Sequence, residues 1–125
     1  MRKVLLDTDV LINFLRGREG ARAYLSTLVE DATLYCSAIT VAEIHSGMRE
    51  HEREKTNDLL DSLTIVDVTR AIAERAGRYR QAEKRQAIEL ADCLIAATAA
   101  EKSAVLATGN GKHYPMSDIR KLIVA

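Results

Sequence analysis

Three carboxylates in this sequence stand alone among apolar neighbours. Asp7 closes the run Lys3–Asp7 (KVLLD), Glu43 interrupts Ile39-Thr40-Val41-Ala42-Glu43-Ile44, and Asp92 is the one charge in Leu90-Ala91-Asp92-Cys93-Leu94-Ile95-Ala96-Ala97. Burying a carboxylate is costly unless it is paired or bound to a metal. Each acid also has a plainer reading: Asp7 or Asp9 can cap the helix that follows, and Asp92 can sit at a helix start where the dipole favours it. Brought together without compensation, the three would repel one another. A divalent cation is the common compensation, and carboxylate oxygens suit Mg²⁺ or Mn²⁺ rather than Zn²⁺. Such an ion activates water and steadies phosphoryl charge, which is the chemistry of phosphodiester hydrolysis.

Other chemistry-bearing residues are less pointed. His45, His51 and His113 share no ligand spacing and read as solvated side chains. Cys36 and Cys93 lie in apolar runs with no CxxC, which suits reduced core thiols and a cytoplasmic protein. Formal net charge is zero, yet residues 70–86 carry six basic side chains against Glu74 and Glu83, a net of +4. Residues 49–61 carry a net of −2. A neutral total therefore hides a basic stretch, Arg70–Arg85, that could track an RNA backbone. Its plainer reading is a solvated helix face whose Arg stems cover apolar surface. Lys112 and His113 could contact phosphate.

The elements that must position these residues follow from periodicity. The 125 residues, 47% hydrophobic and with no Trp, fit one compact domain, 1–125, with an aliphatic core. Strands are predicted over Lys3–Asp7, Thr33–Cys36, Thr64–Val68 and Ala104–Ala107, with a final edge strand at Leu122–Val124. Helices are predicted over Val10–Arg16, ended by Gly17, and over Glu19–Glu30. Further helices run from Ala38 to about Met48, capped by Ser37, then over Glu52–Leu63, Arg70–Arg85 and Glu89–Lys102. Strands separated by helices with no hairpin signal imply an α/β fold with a mostly parallel central sheet in three layers. In such a sheet ligands bind outside the carboxyl ends of the strands, where Asp7 stands. No apolar stretch reaches the roughly 20 residues of a membrane span. The amino-terminal run, broken by Asp7 and Asp9, is not a signal peptide.

The runs LLDTDVLINFLRG, SAITVAEIHSGM, ELADCLIAATAA and AVLATGNGKHY, in that order and spacing, resemble the successive motifs of PIN-domain ribonucleases of the VapC toxin type. The resemblance covers essentially the whole chain. It implies a three-layer α/β/α PIN-like domain, with Asp7, Glu43 and Asp92 as acidic site residues, Mg²⁺ or Mn²⁺ as cofactor, and endoribonuclease activity on RNA. It further implies a homodimer and a cognate VapB-like antitoxin that puts a basic side chain into the acidic site. Leu59, Leu60 and Leu63 form the apolar side of the helix that could serve such an interface.

The sequence departs from the family at one place. Many relatives have an acid in the loop after the fourth strand, where this chain reads Thr108-Gly109-Asn110-Gly111-Lys112-His113-Tyr114. Asn110 could offer a carbonyl oxygen or hold a metal-bound water, and Thr108 could orient that water. Three acids, about −3 in charge, offset one divalent ion but not two. Asn110→Asp should then raise metal affinity.

Two rival enzymes fit less well. Asp7-Thr8-Asp9 after a strand also suits a phosphatase of the haloacid-dehalogenase type, but no later acid pair follows. A receiver domain would need a phospho-accepting acid after a middle strand, and Asp67 is a poor match if Val68 continues that strand. A rival of another class is a PIN-like binding module with an impaired site, acting only through its partner.

Overall fold

The structure, a computed structural model, describes residues 1–125. Its centre is strand β1 (Arg2–Leu6), whose side chains alternate between two cores. Val4 and Leu6 face one cluster, with Val10, Leu11, Leu25, Leu28, Ile44 and Leu60. Leu5 faces the other, with Ile72, Ala76, Ile95, Ala96 and Leu106. A strand apolar on both faces must be covered on both, and parallel sheets meet that need with crossover helices.

The chain supplies those helices in pairs. After β1 come α1 (Thr8–Leu15) and α2 (Glu19–Leu28), then β2 (Ala32–Ser37). Helices α3 (Ala38–Gly47) and α4 (Arg53–Asp61) lead to β3 (Thr64–Val66). Helices α5 (Arg70–Ala82) and α6 (Leu90–Lys102) lead to β4 (Val105–Thr108), and β5 (Lys121–Ile123) closes the edge. The sheet order is β3-β2-β1-β4-β5, and every neighbouring pair is parallel. The sheet is thus wholly parallel, where a mostly parallel one was expected. No helix is long and apolar enough to cross a membrane.

Local signals account for several boundaries. The Ser37 hydroxyl accepts from Ile39 N at 3.1 Å and starts α3; Thr69 does the same for α5 through Ile72 N at 3.2 Å. Gly17, at φ +76°, follows the end of α1, as its position suggests.

Other boundaries differ. Of the two acids that could cap α1, Asp7 is the cap, and the helix starts at Thr8, before the predicted Val10. The predicted 52–63 helix opens as a 3₁₀ turn, Glu50–Glu52, and becomes α-helical only at Arg53. Helix α5 stops at Ala82, short of Arg85, because the Glu83 carboxylate accepts from Arg85 N at 2.7 Å and replaces the helical acceptor. Strand β3 ends at Val66, where its partner β2 runs out at Ser37, so Asp67 lies beyond the strand and is exposed.

Leu60 is buried in the core, and Leu59 and Leu63 pack against it, so this apolar side is spoken for within the chain. Arg75 in the basic helix binds Glu101 at 2.9 Å and Asp118 at 3.1 Å, which ties α5 to α6 and to the segment before β5. Cys36 and Cys93 are both buried and unpaired.

Candidate active site

From β1 the chain order proceeds to β2 on one side and β4 on the other, so the crevice between β1 and β4 is the topological switch point of the sheet. Asp7 follows the last residue of β1, and Thr108 is the last residue of β4. Asp7 is 6% exposed. Its Oδ1 accepts from Thr8 N at 2.8 Å, its Oδ2 accepts from Thr108 Oγ1 at 2.7 Å, and its own backbone N donates to Ala107 O at 2.9 Å. Capping α1 and standing at the sheet edge are therefore one role for Asp7, not alternatives.

Glu43 comes to the same place from α3. The Thr8 hydroxyl donates to Glu43 Oε1 at 2.6 Å and shares a second hydrogen bond, of 3.0 Å, with the buried Thr40 hydroxyl. Thr8 thus bonds to Asp7 through its backbone and to Glu43 through its side chain. Helix α3 can deliver Glu43 there because β2, which pairs with β1, runs straight into it through the Ser37 cap.

Asp92 arrives from the first turn of α6. Its Oδ2 lies 3.4 Å from His113 Nδ1 and its Oδ1 accepts from the Tyr114 hydroxyl at 3.5 Å. Burial pushes the Asp92 carboxyl above its ordinary range; His113 counters this, while the charges of Asp7 and Glu43 add to the rise. Tyr114 is wholly enclosed. Burial, then the charges of Asp7 and Asp92, drive its hydroxyl far upward, so it stays a proton donor facing the acids. The Lys121 ammonium holds this segment from β5, donating to Tyr114 O at 2.5 Å and Gly111 O at 3.3 Å.

Asp9, in the first turn of α1, is the other acid that the sequence offered as a cap. Its Oδ2 accepts from Gly109 N at 2.9 Å, across the crevice in the loop after β4. Its Oδ1 is buried with no hydrogen-bond partner. Burial and then the charge of Asp7 push this carboxyl upward. Nothing in the sequence separates a capping Asp9 from one turned toward a neighbouring strand, since that neighbour is about 100 residues away. Tyr114 was missed for a similar reason, whereas His113, read as solvated, proves to be exposed yet paired with Asp92.

The loop residues behave differently from one another. Thr108 is fully buried, and its hydroxyl is committed to Asp7 Oδ2 and to accepting from Asn110 N at 3.0 Å. It therefore holds the Asp7 carboxylate. Asn110 is exposed, at the start of the 3₁₀ turn Gly111–His113. As the side chains stand, no three His, Cys, Asp or Glu residues are close enough to grip one metal ion.

Two cavities flank the crevice region. One, of about 530 Å³, has Ile12, Leu15 and Ile44 in its wall together with the basic Arg16, Arg49 and Lys55, and it reaches Glu43, one of the site acids. Another, of about 340 Å³, lies by Tyr79, Pro115 and Asp118, with none of the site acids in its wall.

Comparison with known proteins matches residues 4–119 to the PIN domain. Ribonuclease VapC10 of Mycobacterium tuberculosis is 44% identical over 117 residues, which are 90% of this chain and 86% of that protein. A toxin–antitoxin complex from Klebsiella pneumoniae contains a chain of the same fold, with a TM-score of 0.80 and 30% identity over 93% of this chain and 94% of that one. VapBC2 from Rickettsia felis, bound to a DNA fragment from its promoter, superposes with a TM-score of 0.87 at 23% identity, covering 98% of this chain and 99% of that one.

Proposed function

The chain belongs to the PIN-domain family, and on that premise we propose that it is a metal-dependent endoribonuclease, the toxin of a type II toxin–antitoxin pair. What supports the reading is the delivery of three acids from separate elements, Asp7 after β1, Glu43 on α3 and Asp92 on α6, to the region of the switch point. Asp7 and Glu43 share Thr8, and Asp92 feels the charge of both. Similarity to a protein named as a ribonuclease supports RNA as the substrate.

The donor set fits a hard divalent cation, Mg²⁺ or Mn²⁺. Every candidate ligand is a carboxylate oxygen, and one buried carboxylate oxygen nearby lacks any partner. Asp7, Asp92 and Glu43 are the residues that would hold the ion. When bound, it supplies a lowered water pKa and positive charge for the phosphoryl group. Glu43 Oε1 is taken by Thr8, so Oε2 is the atom that would face the ion, or hold or deprotonate the attacking water. Thr108 fixes the Asp7 carboxylate, and Asn110, exposed beside it, would offer a carbonyl oxygen to the ion or hold a water next to it.

The partners follow from kinship: a VapB-like antitoxin, whose basic side chain would pair with the acids, and a second copy of the chain in a homodimer, acting in the cytoplasm. The apolar side of α4 lends the dimer no support, because it is core.

The test is cleavage of single-stranded RNA by purified protein with Mg²⁺ or Mn²⁺. Activity should vanish with a chelator and nearly vanish in Asp92→Asn. Full activity in that folded variant overturns the assignment. A second reading, a PIN-like module with an impaired site, draws on the missing acid at Asn110; it gains if the wild-type protein binds antitoxin yet cleaves no RNA under any metal.

A further inference from the structure

The loop after β4 lacks the acid that many relatives carry, yet the structure sets a carboxylate against that loop from another direction. Asp9 Oδ2 accepts from Gly109 N at 2.9 Å, one residue from Asn110. Gly109 is what allows this approach. A Cβ at that position would come within 2.6 Å of Asp9 Oδ2 and 3.5 Å of the Val124 carbonyl oxygen. The loop is thus shaped around the Asp9 side chain. The other oxygen, Oδ1, is buried without a hydrogen-bond partner. A buried, unsatisfied carboxylate oxygen is rare in a folded protein and calls for a partner. Asp9 stands two residues from Asp7, and Gly109 follows Thr108, which binds Asp7 Oδ2, so the same two segments hold both carboxylates.

We propose that Asp9 is a fourth carboxylate of the cation site, standing in for the loop acid that Asn110 replaces. This rests on the metal-site reading above and extends it. With Asp9 included, the site carries a formal charge of about −4, enough to offset two divalent ions where three acids fall short. The expectation that Asn110 restricts the site to one tightly held ion is thereby revised. Asn110 removes a charge that Asp9 restores from α1.

A purely structural Asp9 would do no more than accept from backbone amides, those of Gly109 and Val10, and an asparagine side-chain carbonyl can take the Gly109 bond equally well. Asp9→Asn therefore separates the two roles. The experiment is calorimetric titration of the purified chain with Mn²⁺ alone, with circular dichroism to verify folding. Asp9→Asn should weaken Mn²⁺ binding by about tenfold or more, or remove one equivalent. Asn110→Asp in the Asp9→Asn background should restore it. Asn110→Asp alone sits at an exposed position, safe for folding, and should gain little, since Asp9 already supplies the charge. The proposal is overturned if Asp9→Asn binds Mn²⁺ as the wild type does while Asp92→Asn loses it, an outcome that leaves the metal site itself intact. It is likewise overturned if Asn110→Asp alone tightens binding about tenfold or more, which would show a charge still missing. Absence of Mn²⁺ binding in the wild type overturns this proposal together with the metal-site reading.

Discussion

Replacing Thr108 by valine removes one hydroxyl and almost no volume, which makes it a clean probe of how the site acids are held. The hydroxyl is fully buried and donates to Asp7 Oδ2 at 2.7 Å, while Asp7 is itself 6% exposed. A hydrogen bond to a charged group contributes about 1.5–3 kcal/mol, and the deserted carboxylate oxygen has little water to turn to. The second bond, from Asn110 N, matters less, because Asn110 is exposed and its amide can be solvated. A loss of about 2 kcal/mol follows, which for a chain of this size lowers Tm by roughly 6–10 °C. The assay is thermal unfolding in chelator at neutral pH, comparing the wild type, Thr108→Val, Thr108→Ser, Asp7→Asn and the Thr108→Val/Asp7→Asn double variant. Serine keeps the hydroxyl and should recover most of the stability. With Asp7 neutralised the valine should cost clearly less, because a neutral acceptor loses less than a charged one. A Thr108→Val protein that melts within about 2 °C of the wild type would refute the idea that this bond holds Asp7.

Two further outcomes can be checked. The Asp92 carboxyl is raised by burial and by Asp7 and Glu43, so the folded state holds its proton more tightly than the unfolded state. Stability from that proton is fully present below the ordinary value of 3.8 and is lost as pH rises through the folded value. In metal-free buffer Asp92→Asn should therefore be more stable than the wild type at neutral pH, with the gap closing as pH falls towards 4; urea unfolding across pH showing no such convergence would contradict it. Cys36 and Cys93 are both fully enclosed, and burial pushes the Cys36 thiol up to about 12, so neither should react with iodoacetamide until the chain unfolds; alkylation of the native protein, read by mass spectrometry, would contradict this.

The sequence by itself determined the element order and the α/β class, because apolar periodicity and helix caps are local signals. Ser37 and Gly17 act in the structure where their types and positions suggest. It also singled out Asp7, Glu43 and Asp92, since an isolated acid in an apolar run is visible without a fold. Tertiary structure decided what those acids touch. The parallel order β3-β2-β1-β4-β5 sets β4 beside β1, so Thr108 reaches Asp7 across a separation of 101 residues. The same adjacency turned Asp9 from a presumed cap into a partner of Gly109, and the 3₁₀ turn, held by Lys121, set His113 and Tyr114 against Asp92. The fate of the apolar side of α4 was likewise settled by packing: Leu60 is core because the sheet face above it needs covering. Local patterns reveal which residues are unusual. Only chain crossing, which no local pattern encodes, selects the unusual residues that meet.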